Sequence, residues 1–265
     1  MAFENSPFRQ GNATGYGGPT GYAQGQVQVD QGLRAFMLGV YNNMIIGLGI
    51  SGLVAVGINK LAVATSSADA VARIGSIPLT SFGRTLYATP LMWVIALAPL
   101  AFIFLFSFRM ERMSAATART TFFAFAAVMG ASLSTLLIRY TGASVVQVFF
   151  ITAAAFGGLS LYGYTTTRSL SGIGSFLVMG LIGLVIASLV NIFLASSALQ
   201  FAISLIGVVV FTGLTAYDTQ SIKEQYAENW GEEAKSKLAV FGALSLYLNF
   251  INLFQMLLSL TGERE

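Results

Sequence analysis

The sequence contains neither cysteine nor histidine. Their absence excludes disulfides, thiolate or imidazole metal sites, and catalysis by a histidine base. Charge is scarce as well. Only 9% of the 265 residues are Asp, Glu, Lys or Arg, whereas soluble domains carry about 25%. The net charge is +3, and the basic residues are dispersed over connections, so no stripe for nucleic acid forms. In place of charge the chain is 55% hydrophobic, with 21 Phe and 28 Gly. Its mean hydropathy is +0.72. This is the composition of a polytopic membrane protein, in which glycine lets helix backbones approach.

Residues 1–33 are polar and Gly-rich, with Pro7 and Pro19. They read as a disordered tail preceding a membrane domain over 34–265. No apolar run occurs before residue 35, so no cleavable signal peptide is expected. Seven apolar runs follow, over about 35–58, 88–108, 115–138, 144–164, 173–195, 199–217 and 238–260. Each is long enough to cross roughly 30 Å of hydrocarbon as a helix. The fold class expected is all-α, a polytopic protein of seven transmembrane helices. Asn42 and Asn43 near the start of the first span read as interhelical glue. Pro99 is expected to kink the second span. The connection 61–87 reads as a short interfacial helix, and the charged segment 219–237 as a solvated, partly helical loop. Seven spans put the termini on opposite sides. Nine basic residues then fall on the N-terminal side and five on the other, which predicts a cytoplasmic N-terminus.

Two features of this apolar chain carry chemistry. The 49 residues from Ser169 to Tyr217 hold no charge, and Asp218 ends them. A carboxyl at, or just inside, the edge of a span is costly unless paired or wetted, so it either marks a helix end or a functional site. The last span carries Ser245, Asn249, Asn252, Gln255 and Ser259. At about 100° per residue, Ser245, Asn249, Asn252 and Ser259 share a narrow arc, with Gln255 flanking it and Tyr247 opposite. Lipid would not stabilise such an arc. It is either a packing seam or the wall of a water-lined path, with Ser245, Asn252 and Ser259 as pore-lining residues.

The segments Thr215-Ala216-Tyr217-Asp218-Thr219-Gln220 and Ala243 to Phe254, with Leu246-Tyr247-Leu248-Asn249-Phe250 at its centre, resemble the Bax inhibitor-1 family in its bacterial branch. The similarity covers about 30–262. It implies a central last helix enclosed by the other six, and a pH-sensitive calcium leak in the bacterial inner membrane. It further implies that Asp218 pairs with a group of the last helix as proton sensor, gate and calcium contact. The second member of the family's carboxylate pair falls at Asn249, where this sequence departs from the pattern. A basic latch at the start of the third span matches Arg112, with Arg119 as the fallback. Two carboxylates that share a proton are coupled titrating groups. An amide at 249 removes that coupling, so a weaker or shifted pH response is expected, and weaker attraction for calcium.

Three function classes follow. The first is a passive cation leak, with calcium as permeant ion and no bound cofactor. The second is a non-transporting regulator that binds another membrane protein, such as a membrane-bound protease; the missing second carboxylate favours it. The third, an intramembrane enzyme, lacks the Ser–His pair, the two membrane carboxylates or the His ligands that such chemistry needs. The expected partners are the lipid bilayer, calcium or other cations, and a membrane protein.

Overall fold

Within hydrocarbon every backbone N–H and C=O has to be satisfied inside its own segment, so apolar runs fold as helices. The computed structural model describes residues 20–66, 69–109 and 112–265, with side chains over 31–66, 69–104 and 112–265. Helix α1 spans Thr20–Ala62. It begins upstream of residue 34, where the membrane domain was expected to start; residues 1–19, most of the Gly-rich tail, lie outside the described residues. The connection that follows holds a hairpin, β1 (Ala72–Ile74) and β2 (Ile77–Leu79), with Ala72 opposite Leu79 and Ile74 opposite Ile77. Gly75 takes φ +58° at its turn, a conformation that costs glycine nothing. Helix α2 (Ser81–Tyr87) comes next, capped by the Thr80 side chain, which accepts from the Gly83 N–H at 3.1 Å. The expected interfacial helix is therefore present only as α2, and the β-branched residues ahead of it pair as strands.

Helix α3 covers Leu91–Arg109 and continues through Pro99. A 61° break separates α2 from α3 across Ala88–Pro90. A proline disfavours helix in the residue before it, and Thr89 precedes Pro90. Then come α4 (Ala115–Leu133), α5 (Leu136–Arg139), α6 (Gly142–Thr165), α7 (Ser171–Leu194), α8 (Ser197–Glu224) and α9 (Glu232–Thr261). The solvated loop expected over 219–237 shrinks to 225–231, because α8 and α9 extend into it from both sides. Met110 and Glu111, in the turn after α3, lie outside the described residues. Six segments are long and apolar enough to cross a membrane: Gln31–Ala62 of α1, α4 with α5, and α6 to α9. The bent α2–α3 pair is a further segment that passes the same test as a unit. The chain is an all-α polytopic membrane protein.

Helix α9 packs against α1, α4, α6 and α8, while α3 packs on α4 and α7 on α8. Leu246, Tyr247, Leu253 and Leu258 of α9 are fully buried. The main apolar core joins Leu246, Tyr247 and Leu258 to Val40 and Met44 of α1, Phe122 and Phe125 of α4 and Phe156 of α6, while Leu253 joins a second cluster with Leu177 of α7 and Val210 of α8. Connections gather at two ends. At one, Glu233 accepts from the Ala115 N–H at 2.6 Å and so caps α4. At the other, the chain end returns beside α5, with the Thr141 N–H donating to the Glu263 carbonyl at 3.0 Å.

Candidate functional site at the α8–α9 contact

Asp218 lies inside α8, not at its foot, because the residues beyond it are buried. The Gln220 side chain accepts from the Leu170 N–H at 2.7 Å and donates to the Arg168 carbonyl at 2.9 Å. The Lys223 ammonium donates to the Tyr164 carbonyl at 2.7 Å. These bonds tie the last turns of α8 to the α6–α7 connection. They carry the helix past the point where the apolar run of the sequence stops.

The Asp218 carboxylate is half-buried and faces α9. Its Oδ2 accepts from the Ser245 hydroxyl at 2.5 Å and from the Asn249 amide at 2.8 Å. Ser245 and Asn249 are one helical turn apart, so both reach the same oxygen. Both donors are uncharged. Arg112 and Arg119 are exposed, and neither has an ion pair or hydrogen bond among the described residues. The basic latch expected from them does not face Asp218. The reason is geometric: α4 turns Ala115, Ala118, Phe122 and Phe125 inward, which leaves Arg119, about 100° round from Ala118, on the outer face. Arg112 precedes the helix altogether. Moreover α4 packs on α1, α3 and α9, away from the α8 face that holds Asp218.

The rest of the polar arc also turns to α8. The Ser204 hydroxyl of α8 donates to Ser259 at 2.9 Å. Ser204 and Asp218 lie roughly four turns apart on α8, as Ser245 and Ser259 do on α9; the two helices are zipped antiparallel. Between them Gly207 leaves room for the Met256 side chain, 2.8 Å from where a Cβ would stand. The Asn252 amide donates back to its own helix, to the Leu248 carbonyl at 2.8 Å. Of the two readings open for this arc, the conformation described is the packing seam: Ser245 and Ser259 are bonded to α8 and Asn252 to α9 itself. Asn43 likewise bonds back to Gly39 of its own helix at 2.9 Å and does not glue two helices.

Among the described residues no three acidic, His or Cys side chains cluster. A calcium ion takes six to eight oxygen ligands. Asp218 presents one carboxylate beside a hydroxyl and an amide that turns its NH2 toward it. It is not a built cation cage.

Two further polar links escaped the sequence reading. Tyr41 of α1 bonds Ser160 of α6 at 2.7 Å, and Ser160 bonds Thr219 of α8 at 3.0 Å. The chain of hydroxyls therefore ends on the residue next to Asp218. On the opposite face of α9, the fully buried Tyr247 bonds Ser51 of α1 at 2.6 Å, and Ser51 donates to the Ala126 carbonyl of α4 at 2.7 Å. Single hydroxyls within apolar helices carry no spacing signal, because each can bond its own helix. Their partners lie far off in sequence.

Residues 33–265 match the protein family described as Inhibitor of apoptosis-promoting Bax1. The chain belongs to the Bax inhibitor-1 family. It is 51% identical over 237 residues to an uncharacterized protein of Caulobacter vibrioides, covering 89% of this chain and 91% of that one. It is 44% identical over 236 residues to the uncharacterized protein RP147 of Rickettsia prowazekii, covering 89% and 92%. It is 41% identical over 246 residues to the inner membrane protein YbhL of Escherichia coli, covering 90% and 96%. The two segments that carried the resemblance build the α8–α9 contact in this member of the Bax inhibitor-1 family. Asp218, Thr219 and Gln220 come from the first, Ser245 and Asn249 from the second.

Proposed function

We propose that the protein is a cation leak of the bacterial inner membrane, with calcium as a permeant ion and the α8–α9 contact as its pH-responsive gate. The reading rests on Asp218: an ionisable group within a membrane span, held by two neutral donors of the neighbouring helix and, among the described residues, by no cation. While Asp218 is ionised, both bonds to its Oδ2 are charge-assisted and about twice as strong as neutral ones. Protonation on either oxygen weakens them, so the strength of the contact between α8 and α9 depends on the charge of Asp218. The zipped arc is then the closed state, and Ser245, Asn252 and Ser259 line the path once the helices separate.

Counting the bent α2–α3 pair as one crossing gives seven spans. Several observations support that count. The start of α2 lies against the end of α1, where the Thr80 N–H donates to the Ala62 carbonyl at 2.9 Å. The far end of α3 leads within a few residues into α4, whose first turn is capped by Glu233 at the opposite end of the bundle. With seven crossings and nine basic residues on one side against five on the other, the N-terminus is cytoplasmic and the C-terminus is on the far side. The inner membrane is taken from the similarity to the E. coli inner membrane protein YbhL.

The test is calcium flux into proteoliposomes at several pH values, for the wild type and Asp218→Asn. A pH-dependent flux that the substitution alters supports the gate. Flux with the same profile in both proteins removes Asp218 from it. A second reading, a non-transporting regulator that binds a membrane protein such as a membrane-bound protease, is favoured by Asn249, which leaves Asp218 without a carboxylate partner. Absence of flux at every pH from folded, inserted protein selects it.

A further inference from the structure

A large cavity lies outside the α8–α9 seam, and two residues of its wall, Tyr41 and Ser160, lead by hydrogen bonds to Thr219. It is a groove of about 1220 Å³ between α1 and α6, floored by Phe250, Ile251 and Phe254 of α9. None of Asp218, Ser245, Asn249, Asn252 or Ser259 lines it. Helices α1 and α6 both pack on α9, and the groove separates their outer edges. It runs along α1 from Arg34 to Val56, about 33 Å at 1.5 Å per residue, the height of a hydrocarbon core. Its wall is apolar, with Phe150 66% exposed. A Cβ added at Gly49, Gly52 or Gly157 would meet nothing within 4 Å. An apolar groove of this size does not hold water stably. It opens sideways to the bilayer, so its occupant comes from the bilayer.

Charge narrows that occupant, and slender acyl chains suit an apolar wall of this length. Among the described residues Arg34 is the single charged side chain lining the groove, and it stands at one rim. It has no ion pair among the described residues. Tyr164 lines the same rim, and Lys223 lies 5.6 Å over its ring. Cations at the end of an apolar intramembrane groove complement a phosphate headgroup. We propose that the α1–α6 groove is a binding site for an acidic phospholipid, with acyl chain along α1 and α6 and headgroup phosphate on Arg34. The site stands whether or not the protein conducts ions.

The site is testable with the full chain in vesicles of phosphatidylcholine doped with acyl-chain diazirine lipids, followed by peptide mapping of the cross-links. Photoactivatable phosphatidylglycerol should label the groove faces of α1 and α6 about fivefold more than photoactivatable phosphatidylcholine, the preference about one basic residue confers. Arg34→Gln should remove that preference. The outer face of α7 around Phe193, 88% exposed, should show no headgroup preference in either protein. Gly157→Phe should lower groove labelling by both lipids while leaving α7 unchanged. Equal labelling of groove and α7 by both lipids would mean ordinary annular lipid and would overturn the proposal. An unlabelled groove, or one cross-linked to a second protein chain, would overturn it as well.

Discussion

Helices α7 and α9 are two long membrane helices of one bundle, and they occupy opposite positions in it. Of the most apolar window of α9, 50% is buried inside the protein; of that of α7, 11%. Yet α9 is the more polar of the two, with Ser245, Asn249, Asn252, Gln255 and Ser259 along its length, while α7 shows Phe176, Met179, Ile182 and Phe193 to its surroundings. In water the apolar helix would be the inner one. In a bilayer the outer face is already in hydrocarbon and gains nothing from burial, so the helix with hydrogen bonds to make takes the centre. Polarity marks the inside of this protein.

The sharpest way to test that contrast is to put the same side chain on both layers. Gly163 of α6 lies directly on the backbone of α8, where a Cβ would collide with the Ala216 carbonyl oxygen. Gly163→Leu should cost at least about 3 kcal/mol and abolish the monodisperse fold on detergent extraction. Gly183→Leu on α7 has nothing within 4 Å and should change stability by less than about 0.5 kcal/mol.

Next in size is Asn249→Leu, which strips one donor from Asp218 and should lower stability by about 1–3 kcal/mol in thermal unfolding. A companion substitution, Asn249→Asp, supplies the missing second carboxylate. Coupled carboxylates titrate as a pair, so the pH midpoint of calcium flux should move by at least about one unit. An unmoved midpoint would show that position 249 does not face the titrating group.

Tyr247→Phe keeps the ring packing against Phe122 and Phe125 and removes only the hydroxyl bonded to Ser51. The expected loss is about 1 kcal/mol, read as a lowered unfolding midpoint. Tyr162→Phe, on the exposed face of α6, should leave that midpoint in place. The smallest effect belongs to Ser259→Ala, since Ser204 can turn its hydroxyl to the Gln200 carbonyl, 2.9 Å away. About 0.5 kcal/mol is expected. A loss as large as that of Asn249→Leu would mean that the whole seam, and not its Asp218 end, holds α8 to α9.

Much of this was legible beforehand because membrane helices announce themselves through composition. The runs at 115–138, 144–164 and 173–195 became helices α4 with α5, α6 and α7 with ends shifted by a few residues. The narrow arc on α9 correctly pointed away from lipid, and Tyr247 correctly opposed it. The ends moved where charge begins: Asp218 sits within α8 because Thr219, Gln220 and Ile222 are buried beyond it, and a 61° break at Ala88–Pro90 precedes the second span. Local sequence also could not assign partners. The resemblance matched a basic latch to Arg112 with Arg119 as the fallback, but a step of 100° round α4 places Arg119 on the outer face.

The sequence by itself determined that this chain lives in a membrane, that it is helical, and that Asp218 and the α9 arc are its costly groups. Those conclusions follow from the price of charge and unpaired backbone in hydrocarbon, which depends on composition and period alone. Only the tertiary structure decided that Asp218 meets Ser245 and Asn249 and neither arginine, that the arc is zipped against α8, and that α1 and α6 leave a groove between them. Each of those depends on which helix faces stand together, and that is decided by side-chain volume and close backbone approach at positions such as Gly163 and Gly207, whose neighbours are remote in sequence.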